Sequence, residues 1–386
     1  MAEHELWLTD DKGARIALLD DFIRFEGTRS VNTVGQCRLF LPSTFDTSLL
    51  RIDRMIQLWR APAGGRLSLW RPFLIQRARY EMLGQKETIM VGGEDPITLL
   101  KRRNVIGYKG SSEASKSAPL DDVMKEYVLE AMVSSGHTTG FGSRDYTGLT
   151  VQTDLSRGYD TLYEAAYKNV FDVLREISRA NVAYDDTDLF FDVVPTFVTG
   201  KSISFEFRTY VGQIGADLSD RVVFDQAYGN FTNPFYESDW SDVQSYVYVG
   251  GQGSGALRRI YEIYDKARLY VSKWAWREGW TDARSADSND AIQAEGFRAL
   301  QSGRPIMSFG GQPVDTDETQ YDVDWHFGDL VRARYRDIDE KCMVVGVTLT
   351  IEKKRETINT DLRVVSSELQ QTDSILGGWE PEEEPE

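Results

Sequence analysis

Tyr321-Asp322-Val323-Asp324-Trp325-His326-Phe327-Gly328-Asp329-Leu330-Val331 leads, after a short interval, into Val344-Val345-Gly346-Val347-Thr348-Leu349-Thr350-Ile351-Glu352. The first stretch is a polar, aromatic turn, and the second an apolar run rich in β-branched residues. Such residues suit a pleated, half-buried surface. Strands are therefore predicted at 330–335, 343–350 and 358–363, with a further strand at 306–309.

The N-terminal hundred residues read the same way. Leu6-Trp7-Leu8-Thr9 opens them, the segment 16–26 bends or bulges, and 35–41 alternates until Pro42. Met55-Ile56-Gln57-Leu58-Trp59 stops at Pro62-Ala63-Gly64-Gly65, a turn signal. The segment 67–80 carries Pro72 and implies an edge, bulge or break, and 88–91 ends at Gly92-Gly93. Five or six short strands suggest a barrel or sandwich. At Asp95-Pro96 a cap and a first-turn proline predict a short helix ending in Lys101-Arg102-Arg103, where the basic triplet complements the dipole.

The middle of the chain changes period. The polar stretch 110–117 reads as a loop, 121–135 as a helix ended by Gly136, and 136–148 as irregular. One helix is predicted over 159–180, with Leu162, Ala165, Ala166, Val170, Val173, Leu174 and Ile177 on one face. Period two returns at 189–194 and 203–209, joined near Thr199-Gly200-Lys201, and continues at 221–225, 245–249 and 257–270. A helix at 282–302 comes next, ended by Gly303 and Pro305, and the last residues run out in Glu-Pro-Glu-Glu-Glu-Pro-Glu.

A formal net charge of −17 disfavours general binding to nucleic acid or anionic membranes, though it suits a wall along which DNA slides. Hydrophobic residues at 41% are enough to build cores, but no apolar run approaches the ~18 residues of a membrane helix. Residues 1–10 lack the order of a signal peptide. A soluble protein made in the cytoplasm is the expectation.

Motifs for chemistry are sparse. Cys37 and Cys342 lie in apolar runs and read as buried free thiols, with a disulfide as the alternative. His4, His137 and His326 lack ligand spacing, and no Ser/His/Asp pattern appears. The glycine run 250–255 before Arg258-Arg259 lacks the order of a phosphate loop and reads as a strand break. Asp20-Asp21, Asp121-Asp122, Asp185-Asp186 and Asp188 supply carboxylate pairs of the type glycoside hydrolysis needs, but 61 acidic residues produce such pairs by chance. Tyr184-Asp185-Asp186-Thr187-Asp188 is too short for a calcium loop. Trp274, Trp276 and Trp280 read as core or interface packing, with sugar stacking as the alternative; on a strand, Trp274 and Trp276 would share a face. No catalytic, cofactor-binding or metal-binding residue is nominated, and no cofactor is expected.

The 321–331 turn and its closing strand resemble the C-terminal module of siphophage tail-hub proteins, also called tail-associated or baseplate hub proteins. There a Tyr-Asp…Leu-Gly-Asp-Val turn feeds a strand; Phe327 here takes the place of the leucine. Three further stretches are similar to the family in the same order. These are Val91-Gly92-Gly93-Glu94-Asp95-Pro96 through Arg103, 161–177 with Leu189-Phe190-Phe191-Asp192-Val193-Val194-Pro195, and Tyr248-Val249-Gly250-Gly251-Gln252-Gly253 with Arg258-Arg259. The resemblance spans roughly 1–365.

It implies a β-rich α+β fold with two tail-tube-like antiparallel β-barrel domains and α/β insertions. The expected division is 1–105, a first barrel with its sealing helix; 106–188, a helical insertion; 189–270, an antiparallel segment partly completing the first barrel and starting the second; 271–370, a helix and the second barrel's closing strands; and 371–386, a flexible acidic tail. The resemblance further implies a homotrimer whose two barrels per chain make a pseudo-sixfold ring in the virion. Its partners would be the distal tail ring, the tape-measure protein and tip or receptor-binding proteins, with DNA passing through and no stable membrane insertion. Because the sequence ends soon after the closing strand, no lytic module is expected. A receptor- or carbohydrate-binding tail module and a virion-associated cell-wall hydrolase are the alternatives.

Overall fold

A computed structural model describes residues 2–83, 86–106, 114–133, 138–139, 142–198, 201–284, 286, 288–365 and 375–377. Gly136, His137, Thr199-Gly200 and the acidic run 378–386 lie outside them. Strands make up 48% and helices 17%, so the chain is β-rich.

Thirteen strands form one sheet. From edge to edge its path runs Phe231–Asp239, Ile306–Pro313, Arg355–Val364, Ile338–Glu352, Arg24–Ser30, Gln36–Pro42, Lys86–Glu94, Ser68–Leu83, Met55–Ala61, Glu3–Thr9 and Arg15–Leu18. Leu330–Tyr335 pairs with Ile338–Glu352, and Val223–Asp225 lies parallel to Leu330–Tyr335. The apolar run near the C-terminus joins the two ends of the chain: Gly346 to Glu352 pairs with Ser30 to Arg24. One apolar core, including Leu39, Phe73, Val91, Phe224, Trp325, Val347 and Leu349, is shared by both halves.

Two separate barrels were expected; among the described residues the halves instead form one continuous sheet, and no closed barrel forms. The physical reason is that the 15-residue strand Ile338–Glu352 is long enough to pair with Leu330–Tyr335 at one end and Arg24–Ser30 at the other. Nor is the pairing wholly antiparallel. Besides Val223–Asp225, Leu149–Val151 lies parallel to Ile203–Val211, and Glu278–Asp282 parallel to Tyr246–Gly250.

Five α-helices are described: α1 (Thr98–Lys101), α2 (Leu120–Met132), α3 (Val170–Asp185), α4 (Lys266–Leu269) and α5 (Asn289–Ser302). Helices α1 to α3 and the hairpin Leu189–Val198/Ile203–Val211 share a second core containing Leu100, Val123, Tyr127, Val173, Leu174, Ile177, Phe191 and Phe207. The single helix predicted over 159–180 is a strand, Asp160–Ala165, followed by α3. Asp160–Ala165 pairs with Ala114–Pro119, which overlaps the stretch 110–117 read as a polar loop, so the pairing overrides the helical spacing of Leu162, which is exposed. Asn169, whose Oδ1 accepts the Phe171 amide at 3.1 Å, caps α3 where it starts.

A third unit is a four-stranded sheet in the order Glu278–Asp282, Tyr246–Gly250, Ile260–Asp265, Ile375–Gly377. The predicted strand over 257–270 stops at Asp265, which caps α4 by accepting the Arg268 amide at 3.2 Å. Arg268 then turns inward and donates to the carbonyls of Leu300 (2.7 Å) and Gly303 (3.0 Å) at the end of α5. The helix predicted from 282 begins at Asn289 because 278–282 is drawn into the sheet.

Candidate interaction site: a buried charge seam and an aromatic sheet face

The 321–331 turn is held from both halves of the chain. Trp325 is fully buried and donates its indole N–H to the Thr319 carbonyl at 3.2 Å. Trp70 donates to the Tyr321 hydroxyl at 2.8 Å. Arg60 donates to the Tyr321 carbonyl (3.1 Å), to Asp322 (3.2 Å) and, as a two-pronged pair, to Glu356 (2.8 Å each). His4 contacts Glu356 at 2.5 Å. Burial alone would raise the Glu356 carboxyl, but the hydrogen bonds from Arg60 and His4 outweigh it and hold the pKa at about 2. Gly328, at φ +91°, gives the turn a left-handed residue where a Cβ would strike Ile214. Asp329 closes it, accepting the amides of Ala216 (2.6 Å) and His326 (2.7 Å).

A second cluster joins the large sheet to the hairpin Leu189–Val198/Ile203–Val211. Arg71, buried in strand Ser68–Leu83, donates to Asp95 and to Asp192, both at 2.6 Å. Arg29 adds a contact to Asp192 at 2.8 Å. Burial raises the Asp95 carboxyl to about 6 against the pull of Arg71, and the neighbouring Asp192 adds to the rise. Burial also works against Asp192, but Arg71 and Arg29 together bring it below the usual carboxylate range. The difference comes from the count of cations: Asp192 faces two guanidiniums, whereas Asp95 has one and shares it.

Among the described residues, the four-stranded sheet packs one face on α5 and carries an aromatic cluster, with Tyr246 buried within it, on the other. Val247, Val249, Tyr261 and Ile263 alternate toward α5 and pack on Ile292, Leu300 and Phe297. The register places Tyr246 beside Tyr264 and Glu278, and Tyr248 beside Glu262 and Trp280, on the other face. There Tyr246 stacks between Tyr264 (centroids 5.8 Å, 9°) and Trp276 (4.6 Å, 22°). Glu278 accepts from the Trp276 indole at 2.9 Å and the Tyr248 hydroxyl at 3.3 Å, and Tyr246 donates to Glu262. Arg258 lies over Trp280, 5.0 Å from the ring centroid. Trp274, Trp276 and Trp280 remain 78%, 57% and 55% exposed. The predicted strand face for Trp274 and Trp276 is not formed, because the strand begins at Glu278; Trp276 and Trp280 flank one platform instead.

The remaining sequence candidates separate. Cys37 and Cys342 are buried free thiols. Arg258 donates to the Gly250 (2.9 Å) and Gly251 (3.1 Å) carbonyls, so the glycine run is a strand end gripped by its own arginine. Asp121 and Asp122 are buried and hold Lys125 and the amides of 155–157. Asp20 and Asp21 are exposed. Asp186 pairs with Arg304 (2.7 Å) and Asp188 with Arg363 (3.0 Å), which engages two of the three acids of the stretch 184–188. No group of residues suited to a metal ion occurs among the described residues. Sequence reasoning missed Arg60 and Arg71, whose partners lie far along the chain.

Comparisons with known proteins bear on the whole architecture. The tail protein of Neisseria meningitidis MC58 is similar in fold, with a TM-score of 0.55 at 12% identity, covering 93% of this chain and 96% of that one. The 43 kDa tail protein of prophage MuSo2 from Shewanella oneidensis is similar at TM-score 0.56 and 11% identity, covering 93% and 98%. A search of curated proteins returns no match. The sequence profile of the Siphovirus ReqiPepy6 Gp37-like proteins matches residues 4–362, nearly the whole chain, including both edge strands of the continuous sheet and the 321–331 turn. The chain thus belongs to the Siphovirus ReqiPepy6 Gp37-like family, a siphovirus tail protein family, and carries the fold of phage tail proteins.

Proposed function

We propose that this protein is the structural hub at the tip of a long-tailed phage tail, a homotrimer that joins the tail tube and distal tail ring to the tip. The observation that carries this reading is the open sheet. Its terminal strands, Arg15–Leu18 and Phe231–Asp239, each have one strand neighbour among the described residues and lie at opposite ends of one order. Unlike edges on one subunit suit head-to-tail contacts, and rotation closes such contacts into a ring. In this reading each half of the sheet supplies one tube-like unit, and three chains make six lobes. The acidic composition surrounds a DNA passage, and the tape-measure protein and tip or receptor-binding proteins attach above and below. The protein is made in the host cytoplasm, enters the virion without stable membrane insertion, and acts as an assembly part; no catalytic residue is assigned.

Light scattering on the size-exclusion peak tests the ring, alone and with the distal tail protein added. A particle of three times 43.9 kDa supports it, and a monomer under both conditions overturns it. Negative-stain images of the same peak are expected to show six lobes around a central opening.

A further inference from the structure

We propose that the aromatic face of the four-stranded sheet, where Trp276 and Trp280 are exposed, is a binding platform for neutral carbohydrate, with sugar rings lying on Trp276 and Trp280 and Glu278 accepting their hydroxyls. This goes beyond the hub reading and does not depend on it. Glu278 and Trp280 share a face of their strand, two extended residues and about 6–7 Å apart, and Trp276, just before that strand, is brought to the same face by its stack on Tyr246. The indoles are held in place: Trp276 is fixed by its stack on Tyr246 and its bond to Glu278. Trp280 is fixed by Arg258 and by close approach to Gly250, where a Cβ would meet the indole at 2.5 Å. Rigid, exposed rings flanking an acceptor match a ligand with apolar C–H faces and hydroxyl edges.

Charge selects among occupants. Glu262, Glu278 and Asp282 border the face, and Arg258 is engaged by Asp282 (2.6 Å) and two carbonyls. An anionic polymer would meet carboxylates with no free cation provided by Arg258. A protein partner would desolvate the exposed Glu278 at the centre of the contact, where interface cores are depleted of charge. The bonds that Glu278 accepts from Trp276 and Tyr248 both go to Oε1, which leaves Oε2 to accept from sugar hydroxyls while the carboxylate keeps its contact with water.

The test is a printed array of neutral, N-acetylated and acidic oligosaccharides probed with the full-length protein, followed by titration of the best ligand against tryptophan fluorescence. Binding to at least one neutral or N-acetylated glycan is expected. Trp276→Ala with Trp280→Ala should weaken it by about tenfold or more, and Glu278→Gln more modestly, with the circular dichroism spectrum unchanged. Three results overturn the proposal: no such glycan bound above background, preference for acidic glycans, or full affinity in the double tryptophan variant. A fourth also does so: a change in oligomeric mass in that variant, which assigns the face to a protein contact. Because the readout is glycan affinity, a monomeric wild type that still binds leaves this inference standing while removing the ring.

Discussion

The seam around Arg71 and the platform around Trp276 treat polar and aromatic side chains in opposite ways. At the seam, charges are taken out of water and must answer one another: Arg71, Asp95 and Asp192 are all buried, and Arg71 reaches Asp95 24 residues away and Asp192 121 residues away. On the platform, rings that favour burial stay at the surface, steadied by carboxylates that keep their contact with water. Buried ion pairs add little net stability but are costly to break, because the survivor is left uncompensated. Exposed aromatics cost little to remove, so their place on this surface is better explained by what they touch than by what they hold up. The comparison separates the region that keeps the units together from the region free to meet something else.

The most severe way to break the comparison is at the seam. Arg71→Met leaves Asp95 and Asp192 facing each other without their shared cation, and should cost about 3–5 kcal/mol in chemical denaturation. A loss below about 1 kcal/mol would mean that the seam does not tie the hairpin Leu189–Val198/Ile203–Val211 to the large sheet.

The turn at 321–331 sharpens the same point through pH. Glu356 is held at about 2, below its ordinary 4.5, so its ion pair contributes stability above pH 4.5 that is lost as pH falls toward 2. Glu356→Gln should therefore be less stable than the parent by about 2–4 kcal/mol near neutrality. The two stability curves should converge between pH 4.5 and 2; a gap that is constant with pH would assign the loss to packing. Asp95 carries the opposite sign, since its raised carboxyl favours the folded state most at low pH and loses that advantage as pH rises toward 6.

The smallest effect belongs to the platform. Trp280→Ala should shift stability by no more than about 0.5 kcal/mol, as for surface positions away from buried networks. A loss comparable to that of Arg71→Met would show that the aromatic face belongs to a core.

Much of the strand content was legible because alternation is a local property. The 330–335 strand is found as Leu330–Tyr335, and the strands near 343–350 and 358–363 differ mainly in length. Helix α2 was legible for the same reason, starting one residue before its predicted first position. The misread segment, 159–180, shows where local reading fails. Leu162 and Ala165 have helical spacing with Val173 and Ile177 in α3, yet 160–165 pairs with 114–119, and nothing nearby in sequence announces that partner.

The β-rich character, the lack of recognisable catalytic spacing and the resemblance that the family match confirms could all be had from the amino-acid sequence, because composition, alternation and ordered motifs are carried by neighbouring residues. Folding in three dimensions was needed for the rest: Ile338–Glu352 splices the two halves into one open sheet, Arg60 and Arg71 become buried centres of charge, and Trp276 and Trp280 share one aromatic face. Each of these depends on contacts between residues distant along the chain, and no local period encodes such contacts.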